Sequence, residues 1–326
     1  MPHKIDIEEA AALLRSRSDL LDDGYTERGL ARAIEAGTIR RVRRGWYVPT
    51  DAWTSLWPEG RHLLEVLAVS KNARGELTFS HASAAVVHGL PLYRLVPTRV
   101  HAVTGTHRCH SSMGVARHER PLTTEEIALV GGLHVTSLDR TAFDLAGALP
   151  IEAAVSAVDA ALRAVLVTGH DYDTGRVAEW RDAMADRLAA QRGSRGVRQA
   201  RAVIAFADGR AQLPGESVSR LQLQRLGIRV TDLQVRVPAP HRGAHYPDFE
   251  LGDVGAFGEF DGEEKYLDAA MRSGRTIDQV LLEEKRREDW IRGTTGKRVV
   301  RWGERDIASA ARLGRRLASF GIVATR

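Results

Sequence analysis

Between residues 216 and 302 the chain sets acidic residues inside short apolar runs, and no other feature narrows its choice of fold as far. Ile228–Val237, Tyr246–Leu251, Ala256–Asp261 and Arg298–Trp302 are rich in aliphatic, β-branched and aromatic residues and are punctuated by glycine, the pattern of strands. Glu216–Leu226, stopped by Gly227, reads as a helix before them. Thr276–Arg292 reads as a helix between the third and fourth strands, and Asp306–Phe320 closes the chain. Aspartate is a poor strand former, yet Asp248 and Asp261 both fall in these runs.

Strand alternation puts Glu259 and Asp261 on one face and Phe260 on the other. If the second and third strands pair as a hairpin, Asp248 approaches Glu259 from its neighbour, while Glu216 enters from the first turn of its helix. Converging carboxylates repel unless a cation neutralises them. Hard oxygen ligands suit Mg²⁺ or Mn²⁺, held by Asp248, Glu259 and Glu216, and such ions activate water in phosphodiester hydrolysis. The competing reading is structural: Glu216 complements its helix dipole, and Glu259 and Asp261 face solvent from a half-covered sheet. In the 276–292 helix, Glu284 and Glu288 fall in the same arc as Ile277, Val280, Leu281 and Ile291, with Lys285 flanking it.

Glu216, Pro247-Asp248 and Glu259-Phe260-Asp261, in the order helix, three strands, helix, strand, resemble the PD-(D/E)XK or restriction-endonuclease-like superfamily. Glu259-Phe260-Asp261-Gly262, Lys285-Arg286-Arg287-Glu288-Asp289 and Val299-Val300-Arg301-Trp302 are similar to its very-short-patch-repair-like endonucleases. The resemblance covers about a quarter of the chain and implies a catalytic set of Glu216, Asp248, Glu259, Asp261 and a lysine. It departs in one respect: the motif lysine would stand two residues after Glu259, where this chain has Asp261. Some members place that lysine elsewhere, which makes Lys285 the candidate here, ahead of Lys265.

The front of the chain reads differently. Ile7, Ala10, Ala11 and Leu14 recur at helical spacing, a break is expected at Asp19–Gly24, and Thr26 caps a helix over Glu27–Ala36 that Gly37 ends. A β-prone hairpin follows, turning at Arg43-Arg44-Gly45. The stretch from Thr38 to Thr50 carries four arginines and no acid. Arg28 and Arg32 share a helix face, so Arg28, Arg32, Arg40, Arg41, Arg43 and Arg44 form a candidate surface for double-stranded DNA, in the order of a winged helix-turn-helix. Thr38–Val48 with Gly37, Ser80-His81-Ala82-Ser83-Ala84-Ala85 with His88-Gly89-Leu90-Pro91, and Thr136-Ser137-Leu138-Asp139-Arg140-Thr141 with Asp144 resemble AbiEi-type antitoxins. That resemblance implies a DNA-binding transcriptional autoregulator with a cognate toxin as partner, and in it the nuclease-like third is an addition.

The expected fold class is therefore α/β multidomain. A winged helix-turn-helix spans 1–58, a mixed α/β middle domain 59–190 and a restriction-endonuclease-like α/β domain 191–326, entered through a basic, glycine-containing connector, Gln191–Gly196, within a shift of composition around Gln191–Gln212. The 326 residues and 43% hydrophobic content supply cores for such units. A net charge of +5 is compatible with nucleic acid without identifying it. The single cysteine, Cys109, excludes an internal disulfide framework. The acidic, amphipathic start and the absence of a long apolar run place the protein in the cytoplasm, away from membranes. His107, Cys109, His110 and His118 match no closed zinc spacing, and Arg140, Thr141 and Asp144 are expected to tie down a helix.

Overall fold

A computed structural model describes residues 3–104, 114–119, 121–169, 171–240, 243–262 and 276–323. It is a mixed α/β protein of two compact units, 1–161 with 181–205 and 162–180 with 206–326.

The first unit opens with α1 (Ile7–Leu13), β1 (Arg15–Ser16), α2 (Arg17–Asp22), α3 (Glu27–Glu35), β2 (Ile39–Arg43) and β3 (Trp46–Pro49). Capping explains the boundaries. Asp6 and Glu9 form a capping box on α1, Ser16 and Asp19 another on α2, and Thr26 accepts from the Gly29 amide at the start of α3. The stretch read as a break at Asp19–Gly24 is therefore largely helical, because Asp19 serves as the N3 member of a box. Gly37, at φ +73°, ends the turn after α3. The strands pair in the order β1-β3-β2, antiparallel throughout, over a core of Leu20, Leu30, Ile39 and Tyr47.

Next come α4 (Thr50–Thr54), α5 (Pro58–Asn72), β4 (Thr78–Phe79), α6 (His81–Val87), β5 (Val100–Val103), β6 (Val115–His118), β7 (Ile127–Val130), β8 (Leu133–Thr136), α7 (Leu138–Ala148) and α8 (Ile151–Leu166). The five strands from β4 to β8 make one sheet in the order β6-β5-β4-β8-β7. The α5 helix buries Leu63, Leu64, Val66, Leu67 and Ala68, and α6 buries Ala84 and Ala85. Ser137 caps α7, and the Thr141 hydroxyl bonds the Thr136 carbonyl. Arg140 joins the buried carboxylates of Glu126 (2.8 Å) and Asp144 (3.1 Å), and Arg187 also pairs with Glu126. The expectation that Arg140, Thr141 and Asp144 tie down a helix describes this arrangement.

A hairpin of β9 (Val167–Thr168) and β10 (Asp171–Tyr172) precedes α9 (Thr174–Ala190) and α10 (Val197–Phe206). Directly after the basic connector Gln191–Gly196, the stretch of shifted composition at Gln191–Gln212 thus contains a helix. Its buried Ala200, Val203 and Ile204 supply an apolar stripe, and Gln199 donates to the Ala146 and Leu149 carbonyls at the end of α7.

In the second unit α11 (Pro214–Arg225) is followed by β11 (Val230–Leu233), β12 (Val237–Pro238), β13 (Ala244–His245), β14 (Phe249–Leu251), β15 (Ala256–Asp261), α12 (Ile277–Thr295), β16 (Arg298–Gly303) and α13 (Ala310–Ala318). The main sheet runs β11-β14-β15-β16, with β14 antiparallel to both β11 and β15, and β15 parallel to β16. One face of β15 carries Phe257, packed with Val237 and with Ile291 of α12. The other face is closed by contact rather than by volume: a Cβ on Gly258 would lie 2.2 Å from the Trp302 ring, and one on Gly215 of α11 2.1 Å from Phe260. The Trp302 indole donates to Ser219 Oγ of α11 at 2.8 Å.

Two expected strands differ. Ile228–Val237 is interrupted by Gln234, a non-glycine residue at φ +50°, and continues as the separate β12. The run Tyr246–Leu251 becomes a strand only at Phe249, since Pro247 has no N–H to donate to a ladder. Asp248 therefore precedes the strand instead of lying within it. Among the described residues no helix is long and apolar enough to cross a membrane.

Candidate functional site

Residues on β15 and β16, on two helices and in the segments beside β11 and β14 of the second unit meet at the end of β15. The β14–β15 register pairs Phe249 with Gly258, so the residue before β14 arrives beside the last residues of β15. Asp248 uses that position: one carboxylate oxygen accepts the Phe260 amide at 2.8 Å, and the other lies 3.3 Å from Gln234 Nε2. The same Gln234 nitrogen is 3.4 Å from a carboxylate oxygen of Glu216, which also accepts the Gln212 amide at 2.7 Å. A neutral amide thus stands between two acids that are 2% and 8% exposed. Positive φ at Gln234 is unfavourable for a side chain with a Cβ, which marks a position held by its surroundings.

Glu259, 4% exposed, points toward α12. Its Oε1 lies 2.7 Å from Arg287 and its Oε2 3.1 Å from Arg301. Arg301, placed opposite Glu259 by the parallel β15–β16 register, also reaches Glu284 at 2.9 Å, Glu288 at 3.4 Å and Asp261 at 3.6 Å. Burial opposes the charge on Arg301, but Glu259, Asp261 and Glu284 outweigh it and hold the guanidinium well above its ordinary pKa. Among the described residues, Glu259, Asp261, Glu284 and Glu288 gather around Arg287 and Arg301, and Glu288 also pairs with Arg292 at 3.6 Å. Burial, reinforced by Arg287, lowers the His245 pKa nearby, keeping that imidazole neutral at pH 7.

The structure brings Glu216 and Asp248 together through Gln234, and Glu259 and Asp261 together through Arg301. Lys285 is exposed, and among the described residues the cations found at Glu259 are Arg287 and Arg301. Helical spacing is the reason: Glu284, Arg287, Glu288 and Ile291 recur at i, i+3, i+4 and i+7, whereas Lys285 is rotated about 100° from Glu284. Lys265 lies outside the described residues. Sequence reasoning gave no role to Gln234 and none to Arg301 as a site residue. Arg301 carried a signal nonetheless, a charged residue between the buried Val300 and Trp302. Gln234 carried none, because nothing local distinguishes it.

In the first unit, Arg28, Arg32, Arg40, Arg41 and Arg44 are exposed. Arg43 differs, since it turns back and donates to the Gly114 carbonyl at 2.8 Å. Arg40 stacks its guanidinium 4.6 Å from the centre of the Trp53 ring. Of the residues considered for zinc, His107, Cys109 and His110 lie outside the described residues, while His118 ends β6.

No family model matches the chain. Two curated Mycobacterium tuberculosis sequences, from strains CDC 1551/Oshkosh and ATCC 25618/H37Rv and both described as uncharacterized proteins, are each 27% identical to it over 219 residues. The alignment covers 63% of this chain and 74% of theirs.

Proposed function

We propose that this chain is a DNA-directed protein of antitoxin or defence type, in which a restriction-endonuclease-like second unit hydrolyses phosphodiesters with Mg²⁺ or Mn²⁺. The observation that carries the reading is the set of buried carboxylates at one end of a mixed sheet, Asp248 and Glu259 from neighbouring chain segments and Glu216 tied to Asp248 through Gln234. The donor types suit a hard divalent cation. A cation would have to draw the three carboxylates together, since among the described residues they do not form a group of ligand atoms within 4.8 Å of one another. All three are oxygen ligands, and the buried Glu259 Oε1 accepts no hydrogen bond although the Arg287 charge is beside it.

Asp248, Glu259 and Glu216 would hold the cation, which when bound supplies Lewis acidity toward a phosphoryl oxygen and an activated water. Gln234 keeps Glu216 and Asp248 apart and oriented. Arg287 and Arg301 hold Glu259 in place and offer positive charge where a phosphate would approach, the part assigned by resemblance to a lysine. In the first unit the hairpin β2–β3 and helix α3 act as a winged helix-turn-helix. Arg28, Arg32, Arg40, Arg41 and Arg44 contact the duplex, and Arg43 ties the turn of the hairpin to the Gly114 carbonyl.

The test is incubation of supercoiled and linear DNA with Mg²⁺ or Mn²⁺. Wild type is expected to cut, and Asp248→Ala and Glu259→Gln to lose on the order of 10²-fold or more in rate, since each removes a ligand of the cation. Equal cleavage by wild type and variants would eliminate the assignment.

A second reading has its own observation: Glu259 is already paired with two arginines, so the unit needs no metal to be neutralised locally. It is then a non-catalytic autoregulator of the AbiEi-type, with a toxin as protein partner. DNA bound but uncut by wild type under every metal condition would select it. For either reading, Arg41→Ala/Arg44→Ala is expected to weaken duplex binding and to reduce the slope of log affinity against log salt by about two. An unchanged slope in a filter-binding titration would exclude these arginines from the interface.

A further inference from the structure

Away from the carboxylates, three neighbouring strands of the first unit each deliver a histidine to one place. Phe79 of β4 pairs with Ala102 of β5, and β5 pairs in parallel with β6. His81 follows β4 at the start of α6, His101 lies within β5, and His118 ends β6. A ring nitrogen from each lies within 4.8 Å of the other two, and all three side chains are partly buried. His101 Nδ1 and His118 Nε2 are 2.9 Å apart, sharing a hydrogen bond, and the His81 ring lies over His118 with centroids 4.0 Å apart.

Three features show a built arrangement. His81 sits at φ +50°, outside the conformation its helix would impose. Ser80 Oγ lies 3.0 Å from His81 Nδ1, within hydrogen-bond distance of that ring. The His101 amide donates to Ser83 Oγ at 2.8 Å, locking β5 against the first turn of α6. Alongside lies a cavity lined by His81, His118, Asp144, Gln191 and Arg195.

We propose that His81, His101 and His118 bind a divalent cation of the zinc class, with a fourth coordination position open to the cavity for water or a small anion. Borderline cations with imidazole ligands match three nitrogens better than Mg²⁺ does. A tetrahedral ion at about 2.0–2.1 Å from each nitrogen needs them about 3.3 Å apart. The His101–His118 pair must open by a few tenths of an ångström, and His81 must close on them by rotation of its ring. The three-ligand, one-open-position pattern is that of a site exchanging its fourth ligand, and Arg195 in the cavity wall favours an anion there.

The experiment uses the full chain, stripped with a chelator and titrated with Zn²⁺ by calorimetry and with Co²⁺ by visible absorption. One ion per chain is expected, and X-ray absorption of the zinc-loaded wild type should count three imidazoles. His101→Gln and His118→Gln should each lose about tenfold or more in affinity, with circular dichroism confirming that they fold. His134→Gln should keep wild-type affinity. No zinc bound by wild type, fewer than three imidazoles around it, or binding lost in Glu259→Gln but retained in His118→Gln would each overturn the proposal. The imidazole count needs no variant, so it decides even if a substitution prevents folding.

Discussion

Arg140→Ala is expected to lower the stability of the first unit by about 3–5 kcal/mol, the range for removing one partner of a buried ion pair. Arg140, Glu126 and Asp144 are 5%, 9% and 7% exposed, so water cannot replace the lost guanidinium. Burial opposes the charge on Glu126, but Arg187 and Arg140 outweigh it and leave its carboxyl below the ordinary value. Burial likewise opposes Arg140, and Asp144 and Glu126 outweigh it upward. A carboxyl whose folded pKa is depressed stabilises the fold above its unfolded pKa and loses that contribution as the pH falls through the folded value. The difference between wild type and Arg140→Ala should therefore be full at pH 7 and shrink once the pH drops through the carboxylate range. Urea titrations at pH 7 and below pH 4 measure both points. A variant as stable as wild type at pH 7 would mean that the network contributes no net stability.

The second large effect is expected at Arg301. Replacing it with methionine removes the cation shared by Glu259, Asp261, Glu284 and Glu288 while keeping the aliphatic stem. Without metal, mutual repulsion of those carboxylates should lower the melting temperature of the second unit by several degrees. If Asp248 and Glu259 hold a divalent cation, the variant should bind it more tightly than wild type, because no internal cation competes. Mg²⁺ or Mn²⁺ at about 100 times its dissociation constant would restore about 2.7 kcal/mol. Adding Glu259→Gln to Arg301→Met should abolish that metal response. A melting temperature that ignores Mg²⁺ and Mn²⁺ in the single variant would instead favour the non-catalytic reading, in which the arginines are the permanent counterions.

Short-range features of the sequence settled much of this protein. Caps at Thr26 and Thr276, glycines at 37 and 227, and two-residue alternation in Ala256–Asp261 depend on neighbours a few positions away, and each element formed where its local chemistry placed it. The order helix, three β segments, helix, strand in the second unit followed from the same signals. Even the strand that began late at Phe249 had its cause in the adjacent Pro247.

What the tertiary structure decided were the pairings. Gln234 reaches Glu216 and Asp248 only because a break after β11 turns its amide between segments 18 and 14 residues away. Arg301 meets Glu259 through a parallel register across α12, and rotation of that helix carries Lys285 off the carboxylate face while bringing Arg287 onto it. His101 and His118 are 17 residues apart, with His81 a further strand away, and no spacing rule links them. Contacts between residues far apart in sequence are fixed by strand order and helix rotation, which no local window contains; the acids were legible one by one, but the partners that set their charge were not.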